Sequence, residues 1–149
     1  MFRYILLILS FSFHANSARA DEPIEYNKWY SKNGVLYDIT QTQDGSPVML
    51  SIYAAGTKNA NMVVSYYSQG ACEKNINTLI MDATDFPAEY RCVPDKMGKI
   101  NHYMVTDAGS VNYLVERLKS GFTVLLQDNI KVWVENFNNP KYGVAPNFW

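Results

Sequence analysis

The chain has 149 residues, of which 48% are hydrophobic, 14% aromatic and 18% charged, and its formal net charge is −1. This length suits a single domain with a sizeable core. The near-zero charge excludes a nucleic-acid-binding protein that works through a basic face, and the apolar, aromatic-rich composition excludes a disordered chain.

The first twenty residues have the pattern of a signal peptide. Arg3 precedes the apolar run Tyr4–Phe13, and Ala18-Arg19-Ala20 supplies the small-x-small pattern that signal peptidase recognises. The apolar run is too short to cross a bilayer, because a membrane helix needs ~20 apolar residues. We therefore expect cleavage between Ala20 and Asp21, with an uncleaved anchor as the alternative.

The mature chain is expected to be one β-rich exported domain over residues 21–149, either periplasmic or secreted. No later segment approaches membrane-spanning length, so we expect no stable membrane insertion.

Short segments of alternating hydrophobicity predict strands along most of the mature chain. Val35–Thr40 and Val48–Tyr53 flank a polar link and predict a hairpin. Four further strands are expected at Met62–Tyr67, Asn77–Asp82, Ala88–Val93 and Ile100–Val105. The segment Ala88–Val93 should pair near Asn77–Asp82, because a disulfide is expected to hold this region together.

A second hairpin is predicted near the end of the chain. Phe122, Val124 and Leu126 alternate with polar or outward positions, and Ile130, Val132 and Val134 alternate with Lys131, Trp133 and Glu135. We expect the three aliphatic residues of the second strand to fill the core and Trp133 to point outwards.

One segment has helical periodicity. The apolar residues fall at positions i, i+3, i+4 and i+7, which predicts one buried stripe: Val111, Leu114, Val115 and Leu118. Ser110 is the expected N-cap and Gly121 the expected C-terminal stop. Seven or eight strands and one short helix predict a mainly β fold, either an antiparallel β-sandwich or a partly open barrel.

The two cysteines, Cys72 and Cys92, are expected to form a structural disulfide, because an even pair in an exported chain usually bridges. The alternative is a redox or nucleophilic thiol, but the chain has no Cys-x-x-Cys motif.

Three segments carry a family resemblance: Leu79–Asp82, Tyr90–Val93, and Val111–Gly121 leading into Phe122-Thr123-Val124. Over residues 62–135 the chain resembles the invasion-associated locus B family of exported bacterial proteins. In that family a strand with an Asp precedes a Cys-bearing strand, and a short helix introduces the last hairpin. The resemblance implies an exported location and a β-rich fold, not a catalytic mechanism. The family usually has two close Cys pairs, so the disulfide topology here differs.

The sequence contains no recognisable enzyme motif: no nucleophile elbow, no phosphate-binding loop and no His-Glu-x-x-His. A Ser–His hydrolase would need His102, which sits mid-strand beside Tyr103 and is more simply an ordinary strand histidine. A zinc site needs more ligands than one His and a bridged Cys pair. We expect no metal and no cofactor.

Asp82 and Asp85 are the best remaining acids for general acid–base chemistry. A glycosidase needs two carboxylates ~5–10 Å apart, and this spacing at a strand end is compatible with that distance. Aspartates at corners usually bond their own turn backbone instead. A small envelope hydrolase that uses these paired acids is therefore the alternative function.

The aromatic residues favour binding, because exposed Trp and Tyr are enriched at recognition surfaces. The candidate binding residues are Trp133, Lys131, Tyr66, Tyr67 and Trp149, with no catalytic residue. The alternative is that these aromatic side chains only contribute to packing in a small β-sandwich, or cover the sheet beneath the C-terminal segment. We expect an exported binding protein without catalytic activity. Its expected partner is another protein, and its role is to inhibit a toxin or lytic enzyme, or to support an envelope or virulence process.

Overall fold

Two β-sheets and one helix surround a shared hydrophobic core in the computed structural model, which describes residues 25–143. The predicted signal peptide (residues 1–20) and Trp149 lie outside the described residues. The elements are β1 (Tyr30–Lys32), β2 (Val35–Gln41), β3 (Pro47–Tyr53), β4 (Asn61–Gln69), β5 (Thr78–Met81), β6 (Thr84–Pro87), β7 (Glu89–Asp95), β8 (Gly98–Val105), α1 (Ala108–Lys119), β9 (Val124–Leu126), β10 (Ile130–Val132) and β11 (Lys141–Tyr142).

The strands form two separate sheets. The larger sheet has the order β11-β1-β2-β3-β4-β8-β7, and the smaller has the order β10-β9-β5-β6. Both predicted hairpins are present, since β2 pairs with β3 and β9 with β10, each antiparallel. An isolated bridge between Thr42 and Ile130 joins the larger sheet to the smaller. The predicted mainly β, sandwich-like fold with one short helix is confirmed.

The strand count and one predicted pairing differ from the expectation. The described residues contain eleven strands rather than seven or eight, because β1, β6 and β11 are only two to four residues long and show no periodicity in the sequence. The Cys92 strand, β7, pairs with β8 and not with β5, whose partners are β6 and β9. The intervening β6 folds back on β5 and occupies the edge that β7 was expected to use.

Alternation along the strands decides which side chains reach the core. On β3 the buried residues are Val48, Leu50 and Ile52, and the second hairpin buries Val124, Leu126, Ile130 and Val132. Phe122 and Val134 were expected on these buried faces, but they lie outside the strands. Phe122 is exposed, and the Arg117 guanidinium sits 4.6 Å from its ring centre. The strand begins only at Val124, so the alternation does not extend back to Phe122.

The helix has the predicted buried stripe but a different N-cap. Its N-cap is Asp107 and not Ser110, because the Asp107 carboxylate accepts hydrogen bonds from the Ser110 backbone N–H (2.7 Å) and hydroxyl (2.6 Å). At the other end Gly121 has φ +85°. The N–H groups of Gly121 and Phe122 donate to the carbonyls of Leu118 and Arg117, which closes the helix in a Schellman motif.

The predicted Cys72–Cys92 disulfide is present, with the two Cα atoms 5.8 Å apart. It ties the connection between β4 and β5 to β7. A structural disulfide is typical of a non-cytoplasmic environment. Within residues 25–143, no helix has the length and apolar character needed to cross a membrane.

Truncating the buried helix stripe should destabilise the domain. Leu114→Ala and Leu118→Ala should each lower the free energy of unfolding by ~2–4 kcal/mol, because both side chains are fully buried. Glu116→Ala should change it by no more than ~0.5 kcal/mol, since Glu116 makes only an exposed ion pair with Lys119. Urea unfolding of the three variants tests this; equal effects would contradict the packing of the helix.

Removing the disulfide should also destabilise the domain. A Cys72→Ser/Cys92→Ser double variant should lose ~3 kcal/mol of unfolding free energy. The bridge joins residues that are 20 positions apart, and closing this loop lowers the conformational entropy of the unfolded chain. Urea unfolding measures the loss. As a control for the bridge itself, denatured and unreduced wild-type protein should take up no thiol reagent, and two labelled cysteines would contradict the bond.

Candidate functional site

The second hairpin brings Lys131 and Trp133 to the same surface. Lys131 lies opposite Leu125 in the β9–β10 register and points away from the core, between the buried Ile130 and Val132. Trp133 follows two residues later and is 38% exposed. The Lys131 ammonium sits 5.7 Å from the centre of the Trp133 ring system, within reach of a cation–π contact.

Trp29 holds the backbone of Trp133. The Trp29 side chain is completely buried, and its indole N–H donates to the Trp133 carbonyl at 2.8 Å. Asn136 adds a second tie, because its side-chain oxygen accepts from the Trp29 N–H (2.8 Å) and its side-chain nitrogen donates to the Trp29 carbonyl (2.9 Å). The Trp29 and Phe137 rings meet edge to face, 4.8 Å between centres. Trp133 therefore extends from a backbone that the core fixes.

Trp133 and Lys131 form part of a pocket of about 410 Å³. The pocket opens between the β9–β10 hairpin and the loop that joins β2 to β3. The other lining residues mostly have amide, hydroxyl or carboxylate side chains: Asn27, Thr40, Gln41, Thr42, Gln43, Leu125, Asp128 and Asn129. This volume lies within the ~300–1,000 Å³ that small-ligand pockets occupy.

Several polar side chains of the pocket have no hydrogen-bond partner within the part of the chain that the structure describes. Among residues 25–143, no hydrogen bond reaches the side chains of Gln43, Asp128 or Asn129. The side-chain oxygen of Asn27 is buried and likewise has no donor in that part of the chain. Thr40 differs, since its hydroxyl donates to the Lys131 carbonyl at 2.7 Å and joins the two sheets. The pocket thus keeps carboxamide and carboxylate groups available for a ligand.

The turns of the two hairpins carry these polar side chains: Gln43 lies between β2 and β3, and Asp128 and Asn129 lie between β9 and β10. Gln127 and Asp128 both have positive φ (48° and 57°), and the Asn129 N–H donates to the Leu126 carbonyl, which is the geometry of a tight hairpin turn. Gln127 also ties the turn to β5, because its side-chain oxygen accepts from the Ile80 N–H. The side chains of Asp128 and Asn129 consequently stand at a fixed corner of the pocket.

Two of the other predicted binding residues, Tyr66 and Tyr67, lie away from this pocket. Tyr66 is 9% exposed and stacks on Tyr103 with 6.2 Å between ring centres, and burial raises the pKa of its hydroxyl. Tyr67 is half-buried beside Gly98, where a Cβ atom would come within 2.5 Å of the Tyr67 hydroxyl oxygen. Trp149 lies outside the described residues. Of the five predicted residues, the structure brings together Lys131 and Trp133.

Asp82 serves as a structural corner. It has φ +48° and, with Ala83, forms the turn between β5 and β6. One carboxylate oxygen accepts from the Leu125 N–H at 3.0 Å, and the other lies 3.3 Å from the Arg117 guanidinium. Asp85 is exposed on β6, paired with Ile80. The Asp82 carboxylate therefore connects this turn to β9 by a hydrogen bond and to α1 by an ion pair.

His102 forms a hydrogen bond that the sequence did not indicate. Its Nδ1 lies 2.8 Å from the Ser65 hydroxyl, directly across from it on β4. The strands of both residues are interior to the larger sheet, and this hydrogen bond links β4 to β8 through their side chains.

Comparisons with protein-family models, with curated proteins and with solved structures find no match for this chain. Its site is therefore understood from its own geometry. Sequence reasoning missed Asn27, Gln41, Gln43 and Asn129 as pocket residues, because they come from segments far apart in the chain and belong to no motif.

An unusual acid lies on the same face of β2 as the pocket residue Thr40. Asp38 is completely buried, and no salt bridge to it occurs within residues 25–143. Burial raises the pKa of the Asp38 carboxyl to about 7, and the backbone N–H groups of Ile39 and Lys28 offset only part of that rise. At neutral pH this carboxyl is near the midpoint of its titration.

The Asp38 carboxyl should make stability fall as the pH rises. Between about pH 4 and 7 the unfolded chain has lost this proton while the folded protein still holds it, so ionisation favours unfolding. Relative to wild type, Asp38→Asn should gain about 3 kcal/mol of unfolding free energy between pH 4.5 and pH 8. Urea unfolding at both pH values tests this, with Glu116→Gln as an exposed control; a pH-independent difference would contradict it.

Proposed function

We propose that the protein is an exported binding protein without catalytic activity and that the Trp133 pocket is its recognition site. The observation that carries the proposal is the pocket itself, in which a partly exposed Trp stands beside Lys131 and several unpartnered polar side chains. Large aromatic residues at recognition sites supply contact area at low entropic cost, and polar groups around them provide specificity.

Three observations support an exported location. The leader ends in Ala18-Arg19-Ala20, the mature chain carries the Cys72–Cys92 bridge, and the run over residues 62–135 resembles the exported invasion-associated locus B family. A disulfide of this kind persists in an oxidising compartment. We place the protein in the periplasm or outside the cell.

The acids of the molecule favour binding over hydrolysis. The pocket has one carboxylate in its lining, Asp128, whereas the usual glycosidase mechanism needs two facing each other. The alternative pair, Asp82 and Asp85, lies outside the pocket, and the Asp82 carboxylate is held by Leu125 and Arg117. The hydrolase alternative therefore has no pair of free acids at the cavity.

For the partner we propose another exported or envelope protein. A toxin or a lytic enzyme that the protein inhibits fits this role, as does a component of an envelope or virulence process. Trp is enriched at such interfaces, and its removal usually has a large effect on affinity.

Site-specific photo-crosslinking tests the proposal. A photoreactive amino acid is placed at Gln43, which is exposed at the pocket, and, as a matched control, at Met97, an exposed turn residue that does not line it. On irradiation of cells that export the full chain, the Gln43 position should yield an adduct with one discrete protein. The Met97 position should not.

Trp133→Ala should reduce that adduct at least tenfold, while the domain still unfolds in one cooperative urea transition, because the fully buried core residues are unchanged. If the Gln43 position gives no specific adduct, or if Trp133→Ala leaves the adduct unchanged, the pocket is not the recognition site for a protein.

A further inference from the structure

We propose that the group that enters the Trp133 pocket is a neutral sugar ring. This inference rests on the proposed function and names the chemistry that the site recognises. Four features of the pocket lead to it: an aromatic face, a set of planar polar side chains, a balanced charge and an unused buried acceptor.

The aromatic face is the indole of Trp133. Its 38% exposure leaves ring surface open at the pocket, while Trp29 holds its backbone carbonyl from behind. A pyranose ring has one face of aligned C–H groups that carry partial positive charge. Such a face packs against the negative face of an aromatic ring, just as the edge of one aromatic ring packs on the face of another.

The planar polar side chains match the hydroxyl pattern of a sugar. Asn129 offers a carbonyl acceptor and an NH₂ donor a short distance apart, and Asp128 offers two acceptor oxygens. Neighbouring hydroxyls on a ring carry both donors and acceptors at a similar spacing, so one planar group can bond two of them. Lys131, close to the Trp133 ring, adds a donor beside the stacking face.

The charge of the lining favours a neutral ligand. Lys131 contributes one positive charge and Asp128 one negative charge, and the other pocket residues are uncharged. A phosphate or carboxylate group would meet Asp128, and a cationic group would meet Lys131. A purely apolar group would leave the carboxamides and the carboxylate without partners, which costs free energy when water is excluded.

Asn27 provides a separate indication. The residue is partly exposed, but its carboxamide oxygen is buried and has no donor among the described residues, although buried polar atoms are normally hydrogen-bonded. Asn27 lines the same pocket. Rotation of this carboxamide towards the cavity would pair it with a ligand hydroxyl, so a polyhydroxyl ligand resolves an otherwise unexplained group.

Titration with neutral oligosaccharides tests the inference. The probes are maltotriose, cellotriose and N,N′,N″-triacetylchitotriose, each added to 10 mM to the ¹⁵N-labelled mature protein. At least one should bind with a Kd on the order of 1 mM, as expected for a small open pocket. Binding should shift the indole N–H resonance of Trp133, which the Trp133→Phe variant identifies.

Matched variants separate the pocket from the rest of the surface. Trp133→Ala should weaken binding at least tenfold, whereas Trp133→Phe, which keeps an aromatic face, should weaken it by less. Asp128→Asn should weaken it several-fold, because a charged acceptor forms stronger hydrogen bonds than a neutral one. Tyr142→Ala, a change at an 84% exposed aromatic outside the pocket, should leave the Kd unchanged.

The sugar has two possible sources, and two further arms distinguish them. If it belongs to a polysaccharide of the envelope, the protein should co-sediment with protein-free cell-wall glycan and Trp133→Ala should abolish this; that result would support the sugar but contradict the protein partner proposed above. If it belongs to a glycoprotein, the Gln43 crosslink adduct should disappear when the partner is deglycosylated.

Failure of this inference is distinguishable from failure of the proposed function. If none of the three sugars binds while the Gln43 adduct persists and depends on Trp133, the pocket recognises a protein side chain and the sugar assignment is wrong. If sugars bind without any effect of Trp133→Ala, the sugar site lies elsewhere on the molecule and the assignment is equally overturned.

Discussion

The burial of Trp29 is the constraint on which the candidate site depends. Its indole needs a hydrogen-bond acceptor once it is inside the core, and the Trp133 carbonyl provides one. Its backbone is paired with Asn136, and its carbonyl also accepts from the Lys141 N–H. The beginning and the end of the described chain are thereby joined at one residue.

The junction at Trp29 positions the pocket on one side and completes the sheet on the other. Immediately after it, β1 pairs with β2 and with the late strand β11, which extends the larger sheet. Immediately before it, Asn27 reaches the pocket wall. Trp133 lies just after β10, and with its backbone carbonyl held by Trp29 its side chain lies on the surface beside Lys131.

The acidic and amide side chains of the molecule have contrasting roles. Asp107 and Asp82 are satisfied by backbone N–H groups and stabilise the helix and the β5–β6 corner. Asp38 is buried with no salt bridge among the described residues, and burial raises the pKa of its carboxyl to about 7, so its ionisation destabilises the fold. The Asn27 side-chain oxygen has no donor within residues 25–143. Asp107 and Asp82 therefore contribute to the architecture, whereas Asp38 makes the stability depend on pH.

The sequence alone determined the mainly β class, both hairpins, and the helix with its buried stripe, because hydrophobic periodicity is a local property of the chain. It also determined the cysteine pair, because an even number of cysteines in an oxidising compartment is a property of composition. Very short strands such as β11 leave no periodic pattern, and the partner of β7 depended on the return of β6. Tertiary structure alone decided the pocket. Lys131 and Trp133 lie two residues apart on one face of the hairpin, a pattern visible in the sequence. Asn27 and Gln43 join them only because the two sheets meet there. Side chains distant in the chain converge only when long-range pairing brings their strands together.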